Sequence, residues 1–171
     1  MSQRPINVLF LCSGNSARSI VAETVANKWG RGRVQAFSAG SHPSGRVNPL
    51  ALELLAERGY PTDGLRSKSW DEFAAPGAAA IDVIVTVCDN AAGEVCPIWP
   101  GKPVTAHWGI PDPAAVEGSD SERRLAFQQA YGDLEARIKR FLALPLEALD
   151  PPTLKARMKE IGAAEAEKVH S

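Results

Sequence analysis

The sequence predicts an α/β protein, a three-layer sandwich in which a four-stranded parallel sheet carries helices on both faces. Three observations point there. Short apolar runs alternate along the chain with runs of helical spacing. The run Ile81–Val87 is dense in β-branched residues, as expected of a strand buried on both faces. Right-handed crossovers then leave few other ways to join such a series.

The elements follow in order. Ile6–Leu11 is the first strand, and after a loop of small residues the amphipathic run Ile20–Trp29 forms the first helix, stopped by Gly30. Val34–Gly40 alternates as a second strand that ends in a turn. Leu50–Arg58 is a helix with Asn48 as its cap, Pro49 in its first turn and Gly59 beyond its end; Leu50, Leu54 and Leu55 face the core. Ile81–Val87 is the third strand, with Cys88 just past it. A stretch rich in Pro and Gly, from Asp89 to Pro103, leads to the fourth strand, Val104–His107, and then to the turn Gly109-Ile110-Pro111-Asp112-Pro113. Ser119-Asp120-Ser121-Glu122 is a capping-box pattern that opens a helix burying Phe127, Tyr131, Leu134, Ile138 and Phe141, ended by Pro145.

Residues 1–149 read as one domain. Residues 150–171 open with Pro151-Pro152 and continue as a charged, Ala-rich stretch with few large apolar residues, Leu154, Met158, Ile161 and Val169, so a peripheral helix is expected there.

With 171 residues and a net charge of −1, the chain suits one domain and carries no global field for nucleic acid or an anionic membrane. No apolar run is long enough to span a bilayer, and Met1–Pro5 leads into a strand rather than a signal peptide, so a cytoplasmic protein is expected. Three cysteines in that setting are expected to be reduced rather than stapled. His42, His107 and His170 have no metal-ligand spacing with one another or with a Cys pair, so no zinc site is expected, and no tightly bound cofactor.

The chemistry concentrates in Cys12-Ser13-Gly14-Asn15-Ser16-Ala17-Arg18-Ser19, between the first strand and first helix. In that setting the backbone N–H groups of Ser13, Gly14, Asn15, Ser16, Ala17 and Arg18 and the first helical turn point together at one spot ahead of the helix, a site for a tetrahedral oxyanion. Cys12 lies beneath it and the Arg18 guanidinium grips two oxygens. The same field favours the thiolate, the reactive form of Cys12, and Ser19 adds a hydroxyl within reach of the sulfur. A buried, inert cysteine before an ordinary turn is the bland alternative, and the residues at these offsets argue against it.

Two later features sit at the same edge of the sheet, where ligands bind in such folds. Asp112 is either a general acid or simply the initiator of an Asp-Pro turn. Cys88 and Cys96 flank a polar, flexible insert: they are either exchanging thiols or, respectively, an inert strand-end residue and a loop anchor packed beside Pro97 and Trp99.

Taken together, the loop, the Cys88/Cys96 pair and the Asp-Pro turn resemble the arsenate reductases built on the low-molecular-weight protein tyrosine phosphatase fold, over roughly residues 6 to 143. The resemblance implies a cysteine relay. Cys12 attacks arsenate, Asp112 protonates the departing oxygen, Cys88 attacks Cys12, and Cys96 resolves the disulfide for an external dithiol, thioredoxin or glutathione with glutaredoxin. Thr105-Ala106-His107-Trp108-Gly109 and Asp112-Pro113-Ala114 are similar to the reductase branch, because phosphatases of this fold usually place an aromatic residue after Asp-Pro. Phosphomonoester hydrolysis through a cysteinyl-phosphate is the rival activity, and a non-catalytic oxyanion or redox sensor a more distant one. Ala17 departs from the pattern where many relatives carry a second cysteine. The interval from Cys88 to Cys96 looks about a residue longer than in thioredoxin-linked members, which leaves the donor open. The resemblance also implies a monovalent cation beside the loop, held by Asn15, Glu23, Ser38 and Asp71.

Overall fold

The structure, a computed structural model, describes residues 5–75, 80–87 and 103–170. Four strands form one parallel sheet: β1 (Ile6–Leu11), β2 (Val34–Ala39), β3 (Val83–Thr86) and β4 (Val104–His107), in the order β2-β1-β3-β4. The register pairs Leu11 with both Ala39 and Thr86, and Thr86 with His107, so the four C-terminal ends lie level. From β1 the chain crosses to β2 on one side and later to β3 on the other. The crevice at that reversal is where this kind of sheet binds ligands.

Side chains of β1 and β3 alternate between two cores, as the two-residue period of a strand dictates. Val8, Phe10, Val83 and Val85 face one cluster; Leu9, Leu11 and Ile84 face the other. Against the first pack α1 (Arg18–Trp29), α2 (Pro49–Glu57), α4 (Asp120–Leu142) and α5 (Pro151–His170). Against the second lie Trp70 and the one-turn helix α3 (Asp71–Ala74), with Phe73 and Phe37. The three expected layers are therefore present, one thick and one thin, and α3 is an element the sequence did not announce.

Local signals located most boundaries. Asn48 accepts the Leu50 N–H and caps α2, and Gly59 follows the helix at φ +81°. Ser119 and Glu122 form the reciprocal capping box of α4, whose Phe127, Tyr131, Leu134, Ile138 and Phe141 are all buried. Two boundaries differ from expectation. Helix α1 begins at Arg18 rather than Ile20, and β3 is shorter than Ile81–Val87, although Ile81 and Val87 are buried at its ends.

The larger correction concerns the C-terminal segment. It is helical, but it is not peripheral: Leu154, Met158 and Ile161 are buried in the main core. Asp150 Oδ1 accepts the Thr153 N–H at its start, and Trp108 Nε1 donates to the Met158 carbonyl at 3.0 Å. At Gly162 a Cβ would stand 2.9 Å from the His107 carbonyl and 2.9 Å from Trp108, so only glycine lets α5 close on β4. Few apolar residues suffice here because they share one helical face, three and four positions apart.

Candidate active site

Cys12 follows β1 directly, its N–H donating to the Ala39 carbonyl at 3.2 Å, and its side chain is buried. The loop after it is held from outside through its carbonyls. Ser13 O accepts from His42 N at 2.9 Å, Gly14 O from Ser44 N at 3.0 Å and Ser67 Oγ at 3.1 Å, and Ser16 O from Asn48 N at 2.8 Å. In a trans peptide the next N–H points opposite to the carbonyl, and no peptide among the described residues is cis. The N–H groups of Gly14, Asn15 and Ala17 thereby point away from the partners that hold those carbonyls, the arrangement an anion cradle needs.

Asn15 sets the shape of that cradle. It is fully buried at φ +45°, a left-handed conformation that asparagine tolerates, and its side chain spans two neighbours. Nδ2 donates to Ser19 Oγ at 2.8 Å, and Oδ1 accepts the Lys68 N–H at 2.9 Å. Ser19 is itself fully buried and, having accepted from Asn15, keeps its own O–H to donate. Because α1 starts at Arg18, both Arg18 and Ser19 ride its first turn beside the helix N-terminus.

Arg18 joins the two halves of the site. One guanidinium nitrogen donates to the Ile110 carbonyl at 2.8 Å, and another lies 3.6 Å from Asp112 Oδ2. Asp112 Oδ1 accepts the Ala114 N–H and caps the short 3₁₀ turn Pro113–Ala115. Asp112 is thus the turn initiator that an Asp-Pro pair suggests and, at the same time, a carboxyl beside Arg18. The structure brings Cys12, the loop, Arg18, Ser19 and Asp112 to one edge of the sheet. Cys88 and Cys96 lie outside the described residues.

Several contributors left little trace in the sequence. Gly40 is one: a Cβ there would stand 2.5 Å from Ser13 O and 2.7 Å from Cys12 O, so its bare backbone is what lets the loop settle. A glycine closing a strand was the available hint. Ser67, Lys68 and the Ile110 carbonyl gave none. Among the described residues no group of three His, Cys, Asp or Glu side chains is placed to hold a metal ion, and no helix is long and apolar enough to cross a membrane.

Residues 7–154 match the low molecular weight phosphotyrosine protein phosphatase family. The chain belongs to that family. Within it, the chain is 37% identical over 134 residues to an arsenate reductase of Halalkalibacterium halodurans, covering 78% of this chain and 93% of that one. A thioredoxin-dependent arsenate reductase of Corynebacterium glutamicum superposes with a TM-score of 0.57 at 27% identity, over 81% of this chain and 61% of the other. This chain therefore spans less than two thirds of that protein's length. An arsenate reductase in its phosphate binding state superposes with a TM-score of 0.64 at 26% identity, over 81% of this chain and 97% of that one.

Proposed function

We propose that this protein reduces arsenate to arsenite through a cysteine relay. The observation that carries the proposal is the loop between Cys12 and Arg18, tied from outside through its carbonyls, which leaves its amide groups to serve as donors to a bound anion. Such donors stabilise a bound oxyanion and the charge that grows on it without reorganising. Arsenate rather than an aryl phosphate is favoured by Ala114 and Ala115, which put two methyl groups where an aromatic wall would otherwise stand, and by the arsenate reductase relatives.

In the first step the Cys12 thiolate attacks arsenic(V) and an As–O bond breaks, the oxygen leaving as water with a proton from Asp112. Cys88 thiolate then attacks the Cys12 sulfur. The S–S bond forms, the S–As bond breaks, and its electron pair stays on arsenic, which departs as arsenite. Cys96 attacks Cys88 and releases Cys12, leaving a Cys88–Cys96 disulfide that an external dithiol reduces. A thioredoxin-type protein is the proposed donor, supported by the Corynebacterium relative.

Substituting Cys88 separates this function from its rival. With Cys88→Ser, arsenate-dependent NADPH oxidation coupled through thioredoxin and its reductase should stay at background from the first cycle, while hydrolysis of an aryl phosphate, which needs only Cys12, Arg18 and Asp112, stays unchanged. Sustained arsenate turnover by the variant would refute the relay.

A further inference from the structure

The oxygen groups expected to hold a monovalent cation beside the loop do not fit one, because a side chain already supplies the charge. Ser38 Oγ donates to Glu23 Oε1, and Lys68 Nζ lies 3.4 Å from Ser38 Oγ and 3.7 Å from Glu23 Oε1. Nζ also donates to the Arg66 carbonyl at 2.9 Å. The Lys68 side chain is 8% exposed and that of Glu23 18%, so a second monocation brought to this spot would meet a poorly screened like charge. Asn15 Oδ1 is engaged by the Lys68 N–H, and Asp71 is exposed at the start of α3.

We infer that Lys68 is a built-in replacement for that cation and a positioning residue for the anion loop. Its ammonium fastens the 66–70 segment to α1 through Glu23 and to β2 through Ser38, both largely buried. The backbone of the same residue then holds Asn15, which holds Ser19. The chain of contacts runs from one ammonium to the left-handed turn that shapes the cradle. Burial pulls the Lys68 pKa below the ordinary lysine value, and the nearby Glu23 carboxylate acts the other way to keep it charged. Glu23 also lines a surface cavity of about 470 Å³ with Thr24, Asn27, Lys28 and Arg31.

This inference rests on the anion loop of the proposed function and not on the thiol relay, so the test reads the loop alone. Wild type and Lys68→Ala are compared in KCl, NaCl and tetramethylammonium chloride at equal ionic strength. The two readouts are melting temperature and the protection by inorganic phosphate of Cys12 against iodoacetamide, followed by mass spectrometry. Wild type should be indifferent to the cation in both. Lys68→Ala should melt lower in tetramethylammonium chloride and lose phosphate protection by about tenfold, the scale of one charge-assisted hydrogen bond, with KCl restoring most of each.

A wild-type response to potassium over tetramethylammonium overturns the inference, since a separate cation site would then exist. So does a Lys68→Ala variant that behaves as wild type, or one whose loss no alkali ion restores. Should Lys68→Ala fail to fold, Lys68→Gln, neutral and shorter but still stemmed, takes its place under the same criteria. If phosphate fails to protect even wild type, the anion loop itself is refuted, and the cation dependence of the melting temperature still decides the role of Lys68.

Discussion

The loop from Cys12 to Ser19 and the loop from Gly109 to Ala115 meet at Arg18, and the chain holds them in different ways. On the first, Cys12, Asn15 and Ser19 are buried, and three carbonyls are tied to residues 29 or more positions away in sequence. On the second, the Asp112 side chain is 42% exposed, held by one backbone N–H and the edge of Arg18. The difference matches the two tasks proposed for these loops. A cradle for an anion works only if its donors are aimed before the anion arrives, which calls for burial and many tethers. A group that gives up a proton in each cycle has to recover one, which calls for contact with water.

Substitutions on each side can break or sharpen that contrast. The largest effect is expected from Asp112→Ala, which should lower arsenate turnover by about 10² to 10⁴ while phosphate still protects Cys12 from alkylation. Loss of that protection would mean that the two loops are one unit after all. Next comes Met158→Ala, expected to cost about 2 to 5 kcal/mol in urea denaturation, as a fully buried methionine would. Helix α5 reaches the second loop through Trp108, whose Nε1 donates to the Met158 carbonyl and whose N–H donates to Thr86 O, two residues before Ile110. Turnover in the surviving folded protein should therefore drop more than phosphate protection does.

The smallest effect is expected from Gly40→Ala, about 1 to 3 kcal/mol of stability for one methyl forced against the Cys12 and Ser13 carbonyls. Here the pattern should invert, with weaker phosphate protection at moderate cost to folding. A Gly40→Ala protein with wild-type protection would show that the loop has slack the contacts do not suggest.

What could be read from the sequence, and what could not, divides along the same line. The helix ends at Asn48 and Ser119, the strand Val104–His107 and the order strand, cradle loop, helix were all legible. Helix α1 starts two residues ahead of its apolar spacing, which begins only at Ile20, and Ala17 makes no side-chain cap to mark that start. Helix α3 has only four residues, too few to carry a detectable period. The burial of α5 is not legible in composition, which counts apolar residues without saying whether they meet a partner.

By itself, then, the sequence determined the parallel sheet, its capped helices, and the cysteine and arginine at the ends of one loop. Each of these depends on residues within a turn or two of one another, where spacing and backbone preference act directly. Only the tertiary structure decided that Gly40 admits the loop, that Lys68 sits between Glu23 and Ser38 and steadies Asn15, and that α5 underpins the strand leading to Asp112. Those roles belong to side chains and backbones brought together from dozens of positions apart, and no local pattern records which distant groups a fold will press against one another.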